Sequence, residues 1–128
     1  MIFWFEKHNK ISWMITIIGA ILIFYISSLT FEASSGGINI FSILYHILAF
    51  FCFSFFLFIS LLNGRKNYLL FVFGMLVSLI YGFFDEFHQL FVPGRYFSIF
   101  DIFLDFVGIL FAFMIYLIVF LSRKRKND

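Results

Sequence analysis

The chain has 128 residues, of which 63% are hydrophobic, 25% aromatic and only 12% charged. A soluble domain carries about 25% charged residues, so this composition excludes an ordinary soluble globule, a disordered chain and a nucleic-acid-binding module. The single cysteine excludes a disulfide framework and a cysteine-based zinc site. We therefore expect an integral membrane protein with a single domain over residues 1–128.

Four apolar segments have the length of membrane-spanning helices. A bilayer core about 30 Å thick needs about 20 apolar residues per helix, because lipid offers no partner to backbone polar groups. The segments cover residues 11–29, 40–62, 68–84 and 102–121. Turn-forming residues, Pro93-Gly94 among them, separate them. The sequence therefore predicts an all-α bundle of four transmembrane helices.

The first segment is predicted to stay in the protein. Its apolar run is longer than the 7–15 residues usual in a signal peptide, and the stretch Phe31-Glu32-Ala33-Ser34 after it is a poor A-x-A cleavage site. The aromatic residues of Met1–Phe5, ahead of Lys7 and Lys10, indicate an interfacial anchor.

The distribution of charge predicts the orientation. Eight of the nine basic residues fall on one side of the four-helix arrangement: Lys7, Lys10, Arg65, Lys66 and the run 123–126. The other side carries Arg95 and five of the seven acidic residues: Glu32, Asp85, Glu86, Asp101 and Asp105. By the positive-inside rule, both termini are cytoplasmic and the loops 30–39 and 85–101 face outward.

The third segment carries small residues that lead to a carboxylate. Gly74, Ser78, Gly82 and Glu86 follow one another at four-residue spacing and therefore share one helix face. Small residues allow another helix to approach closely. The partner is either the fourth helix or a second copy of the chain. Gln89 lies three residues beyond Glu86 on nearly the same face.

The fourth segment has the same arrangement in reverse. Asp101, Asp105, Gly108 and Ala112 lie on one face, with the two carboxylates at the outer end. Asp101 has the position of a helix N-cap. Asp105 lies one turn inside the span, where a carboxylate needs a partner or water. We expect Arg95 to be that partner.

Polar residues of all four segments meet at the outer end of the bundle. His46 lies in an apolar run of the second segment, and Ser27 and Ser28 close the first. Their common depth predicts an outward-facing polar pocket. Its expected residues are Ser28, His46, Asp85, Glu86, Gln89, Arg95, Asp101 and Asp105.

The sequence allows three interpretations of what this pocket does. The residues could form a structural network, bind a lipid head group, or make a catalytic or metal site in which carboxylates act with His46 or His88. No zinc-protease, nucleophile-elbow or phosphate-loop motif is present. We therefore expect no cofactor and no resident metal, and the sequence leaves open whether the protein is an enzyme. Carboxylates at helix ends disfavour a proton-coupled exporter.

The polar motifs resemble those of the VanZ-like membrane proteins. That family has the pattern D-E-x-x-Q, then G-R, then D-x-x-x-N-x-x-G; here Asp85 to Gln89, Gly94-Arg95 and Asp101 to Gly108 are similar to it. Ser27-Ser28 and His46 correspond to weaker family motifs. The chain departs from the family at Asp105, where Asn is frequent, at Ala112, where Gly is usual, and at Ser42-Ile43, where an acid and a lysine are usual.

The resemblance implies a bacterial cytoplasmic-membrane protein linked to low-level resistance to teicoplanin and other lipidated glycopeptides. The leading hypothesis is an accessory protein that reduces the engagement of such ligands at the outer face, with Glu86, Gln89 and Arg95 as its working centre. The alternative is a hydrolase or transferase acting on a lipid-linked cell-envelope substrate. The expected partners are membrane lipids, a lipid-linked cell-wall precursor or a lipidated glycopeptide; a second copy of the chain is left open, and nucleic acid is not expected.

Overall fold

The computed structural model describes residues 1–30 and 39–122. This part of the chain is helical and contains no strand. Its elements are α1 (Ile2–Lys7), α2 (Asn9–Ser27), α3 (Ile40–Leu62), α4 (Tyr68–Gln89) and α5 (Ile99–Ser122). Helices α2 to α5 are long and apolar enough to cross a membrane. The predicted all-α architecture with four spans is therefore confirmed, whereas Glu32 and the basic run 123–126 lie outside the described residues.

Two predicted helix ends were wrong. The third span was expected to end at residue 84 and the fourth to begin at 102, but α4 continues to Gln89 and α5 begins at Ile99. The polar residues Asp85 and Glu86 do not end α4, because Gln89 bonds to both of them along the helix surface. The two carboxylates therefore lie in the last turns of a helix and not in a loop.

The aromatic N-terminal segment forms α1, a short helix set off from α2 at His8. Glu6 of α1 is buried, and its carboxylate accepts a hydrogen bond of 3.0 Å from the Tyr116 hydroxyl of α5. Ser12 of α2 donates to the Phe5 carbonyl at 2.8 Å. These bonds tie the N-terminal segment to the end of the bundle opposite the acidic residues.

Helix α3 is the centre of the bundle and contacts each of the other four helices. Large side chains of α3 and α5 fill the interior, and those with no exposed surface include Phe50, Phe58, Ile59, Tyr116 and Phe120. Many other large apolar side chains are exposed, as expected of surfaces that meet lipid tails. Because lipid is as apolar as these residues, close packing and polar contacts hold the helices together.

The small residues of α4 and α5 allow these two helices to pack closely against α3. A Cβ atom on Gly74 would lie 3.0 Å from Cδ1 of Phe58, and one on Gly82 would lie 3.3 Å from Cε1 of Phe50. A Cβ on Gly108 would overlap the backbone carbonyl oxygen of Ile47. The stripe of small residues on α4 is thus used within the chain, mainly against α3, and α5 contributes Asp105 at Gly82.

Candidate functional site

A cluster of polar side chains is buried at one end of the bundle, and we call it the polar centre. Its members come from α3, α4 and α5: His46, Asp85, Glu86, Gln89 and Asp105, each at most 4% exposed. Asp101 and Arg95, both half-buried, lie at its edge. Helices α4 and α5 place their carboxylates together because both small-residue stripes pack on α3. The structure therefore brings together seven of the eight expected pocket residues.

Glu86 connects α4 to the start of α5. Its Oε1 accepts from Nε2 of Gln89 at 3.0 Å, and its Oε2 accepts from the backbone N–H of Ser98 at 3.1 Å. Charged acceptors make hydrogen bonds about twice as strong as neutral ones. The Glu86 carboxylate therefore fixes the chain as it enters α5.

The N-cap of α5 is Ser98, and the assignment of that role to Asp101 was wrong. The Ser98 hydroxyl accepts from the backbone N–H of Asp101 at 3.2 Å. Helix α5 starts at Ile99, so Asp101 lies in its first turn, where a negative charge interacts favourably with the helix dipole. The sequence analysis did not assign the N-cap role to Ser98, although the S-x-x-D spacing from Ser98 to Asp101 is a known helix-start signal.

His46 is the hydrogen-bond partner of Asp105. Its Nδ1 lies 2.8 Å from Oδ1 of Asp105, and both side chains are 1% exposed. Its Nε2 lies 3.9 Å from Oδ2 of Asp101. The expectation that Arg95 would partner Asp105 was based on charge alone. In the structure His46 is the partner instead, because the rotation of α3 about its axis turns His46 towards α5.

Arg95 joins the polar centre through Gln89. Its Nε donates to Oε1 of Gln89 at 3.2 Å. Gly94 has a φ of 79°, a left-handed conformation that glycine adopts without strain, and the turn at this position brings Arg95 back over the end of α4. Gln89 thus links the guanidinium to the Glu86 carboxylate.

Ser28 and His88 lie beside the polar centre, on the side where α2 meets α4. The Ser28 hydroxyl and Nε2 of His88 are 2.9 Å apart, and the His88 ring stacks on Phe24 with a centroid distance of 4.4 Å. This contact joins α2 to α4. His88 also lines a cavity of about 340 Å³ together with Asp85, one of the carboxylates with which it was considered as a catalytic partner.

Two cavities meet beside the polar centre. The first cavity, called the polar pocket from here on, has a volume of about 310 Å³ and is lined by Ile26, Asn39, Phe41, Ser42, Tyr45, His46 and Arg95. Of the eight residues expected in the pocket, two line this cavity, His46 and Arg95. The apolar groove, about 390 Å³, runs between α2 and α3 and is lined by Ile15, Gly19, Leu22, Ile23, Ile26, Tyr45, Ala49, Cys52, Phe53 and Phe56. Ile26 and Tyr45 line both. Ser42, which stands where the VanZ-like pattern usually has a charged residue, forms part of the polar wall.

The four spans and the polar centre at one end define a multi-pass helical membrane protein with a buried acidic and histidine-containing site. Comparison with protein families identifies the family of this membrane protein. The chain belongs to the VanZ/LLP1 family, whose model matches residues 3–120. No curated protein and no solved structure matches the chain.

Proposed function

We propose that the protein binds lipid-linked molecules at the outer face of the bacterial cytoplasmic membrane, lipidated glycopeptides of the teicoplanin class among them. The polar part of such a ligand lies in the polar pocket, and its apolar chain lies in the apolar groove. Binding there keeps the ligand from engaging cell-wall precursors, which gives low-level teicoplanin tolerance.

The shared wall of the two cavities is the observation that carries this proposal. Tyr45 and Ile26 line both the polar pocket and the apolar groove. A ligand with a polar head and an apolar chain would fill both cavities at once, and its chain would reach the groove directly from the bilayer. A water-soluble glycopeptide without a lipid chain would fill only the polar pocket.

The polar pocket suits an anionic head group. Arg95 and His46 line it, and the guanidinium presents several N–H donors in a planar fork. Such a fork can hold Gln89 and also meet a phosphate or carboxylate of the ligand. The charge distribution of the sequence supports an outward position for this end, because eight of the nine basic residues lie on the other side.

A susceptibility assay tests the proposal. A susceptible Gram-positive host expresses the wild-type chain or a variant at matched membrane levels, and its tolerance of teicoplanin and vancomycin is measured. We expect the wild type to raise teicoplanin tolerance and leave vancomycin tolerance unchanged. Arg95→Gln and Arg95→Lys should return the host to its original sensitivity. Arg65→Gln, an exposed position at the other end of the bundle, is the matched control.

A separate variant, Gly19→Leu, tests the role of the apolar groove. No atom lies within 4 Å of the position that a Cβ would take on Gly19, so Gly19→Leu fills the groove without displacing packed side chains. We expect this variant to weaken binding of teicoplanin to the purified protein in nanodiscs, measured by calorimetry. Equal binding of teicoplanin and vancomycin by the wild type would contradict the role of the groove.

A second candidate function is a hydrolase or transferase acting on a lipid-linked envelope substrate. The short contact between His46 and Asp105 favours it, because a carboxylate at Nδ1 orients an imidazole and stabilises its protonated form. Nε2 of His46 would then take the proton of an attacking water or hydroxyl at the polar pocket.

Turnover separates this candidate from pure binding. The purified protein in nanodiscs is incubated with a polyprenyl-linked cell-wall precursor, and the products are followed by chromatography. Product formation that His46→Gln abolishes would identify an enzyme. Full turnover by His46→Gln would exclude the imidazole as the base, and binding without turnover would leave the first function in place.

A further inference from the structure

We infer that Asp85, Glu86 and Asp105 hold one divalent cation between α4 and α5. One carboxylate oxygen of each residue lies within 4.8 Å of the other two, which is close enough for a single ion to contact all three. The side chains are 4%, 0% and 1% exposed. Buried carboxylates in such proximity are costly unless they are paired or coordinate a metal.

A buried oxygen atom provides an independent observation. Within the described residues, Oδ2 of Asp105 has no hydrogen-bond partner, whereas the Asp85 carboxylate has the Ser27 hydroxyl beside it. Buried polar atoms without a partner are rare in proteins, and an unseen ion or water is a common reason. Oδ2 of Asp105 faces α4, since it lies 3.6 Å from the position of a Cβ on Gly82, one turn before Glu86.

Ser27 adds a neutral oxygen at the same place. Its side chain is fully buried, and its hydroxyl lies beside the Asp85 carboxylate, to which it can donate. Oδ2 of Asp105 is then the carboxylate oxygen at this end of the described chain that has no hydrogen-bond donor beside it. A cation between α4 and α5 would pair with this oxygen and could reach the Ser27 hydroxyl through a hydration water.

The negative charge of the region also favours a bound cation. Four carboxylates meet here, and Asp101 at the edge adds to the three proposed ligands. Among the described residues, Arg95 and His46 are the groups that bring positive charge to these carboxylates. With the four carboxylates ionised, the cluster is net negative whether or not His46 carries a proton.

Neighbouring side chains already orient the proposed ligands. His46 holds Oδ1 of Asp105, which leaves Oδ2 for the ion. Gln89 holds Oε1 of Glu86 and the Ser98 N–H holds Oε2, so Glu86 would reach the ion through a second lone pair of one of these oxygens. Such outer contacts are usual around metal ligands and fix their geometry. An all-oxygen ligand set favours Mg²⁺, Mn²⁺ or Ca²⁺ over softer metals. This inference replaces the expectation from the sequence that the protein has no resident metal.

A neighbouring set of residues offers a different arrangement. His46, Glu86 and Asp101 also bring potential ligand atoms within 4.8 Å of one another. None of the unpartnered buried atoms belongs to that set. The set with Asp85 and Asp105 is therefore favoured, and Asp101→Asn becomes the matched control.

Manganese binding tests the inference. The full chain is purified in an uncharged detergent, stripped with a chelator, and titrated with Mn²⁺ by electron paramagnetic resonance. We expect one ion per chain, competition by Mg²⁺ or Ca²⁺, and a higher thermal unfolding midpoint with the ion. Asp85→Asn and Asp105→Asn, which keep the side-chain shape, should weaken binding by about tenfold or more, whereas Asp101→Asn should bind within about threefold of the wild type.

Two results would overturn the inference. The first is a folded wild type, verified by circular dichroism and gel filtration, that binds no Mn²⁺ saturably. In that case Asp85→Asn should raise the unfolding midpoint in the presence of chelator and ion alike, because it removes a buried charge. The second is loss of binding in Asp101→Asn with binding intact in Asp85→Asn, which would assign the ion to the other set. Neither result depends on the ligand that the polar pocket takes.

Discussion

At Gly108 the backbones of α3 and α5 lie close together, and Gly108→Ala should both destabilise the bundle and disturb the polar centre. The new Cβ would overlap the carbonyl oxygen of Ile47 and lie 3.0 Å from the backbone nitrogen of Phe51. Both are backbone atoms of a helix and cannot rotate away. The helices would have to separate by roughly 1 Å to reach an ordinary contact distance.

The loss of stability caused by Gly108→Ala can be estimated from the kind of atoms that clash. Overpacking of a filled core costs about 1–3 kcal/mol, and a clash between two backbones belongs at the upper end of that range. For a chain of this size a loss of about 3 kcal/mol corresponds to a decrease in unfolding midpoint of about 10 °C. The separation would also affect the contact between His46 and Asp105, because His46 precedes Ile47 and Asp105 lies one turn before Gly108.

Thermal unfolding in detergent, followed by circular dichroism, measures this effect. Gly19→Ala is the matched control: it makes the same chemical change inside a helix, but no atom lies within 4 Å of the new methyl group. We expect the control to be unchanged or more stable by at most about 1 kcal/mol, from helix propensity. If Gly108→Ala unfolds at the same temperature as Gly19→Ala, the proposed close contact of α3 and α5 is wrong.

Further predictions concern the core and the orientation. Phe58→Ala should lower stability by about 3 kcal/mol or more, since Phe58 has no exposed surface; chemical denaturation measures this. Tyr116→Phe should cost about 1–3 kcal/mol by removing the donor to Glu6, without changing Mn²⁺ binding. In a cysteine-free background, Tyr96→Cys should react with an impermeant maleimide on whole cells, whereas Arg65→Cys should react only after lysis; the reverse pattern would invert the orientation.

The spans were predictable because the bilayer imposes a simple rule on sequence. Long apolar stretches must be helical in lipid, and both the second and the third predicted spans begin where α3 and α4 begin. The rule says less about helix ends in polar sequence. The predicted span stopped at residue 84, although the four-residue spacing that ends at Glu86 already continued the helix face beyond it. In the structure the helix runs as far as Gln89.

The members of the polar centre could be predicted more readily than their contacts. The three-residue spacing of Glu86 and Gln89 on a helix surface already favours their hydrogen bond. The contact of His46 with Asp105 depends on the rotations of two helices 59 residues apart in sequence, which no local pattern determines. Opposite charge selected Arg95 as the partner of Asp105, although an imidazole is a sufficient partner when packing brings it closer.

The packing of α3 and the construction of the polar centre have the same origin. Gly82 and Gly108 let α4 and α5 approach α3, and Asp105 lies against both α4 at Gly82 and α3 at His46. Carboxylates from two helices are therefore held close together by contacts that stabilise the fold, although the carboxylates repel each other. A structure gains nothing in stability from this repulsion, and apolar residues of similar size would pack without it. The arrangement is better explained by a cation bound at the carboxylates than by stabilisation of the bundle alone.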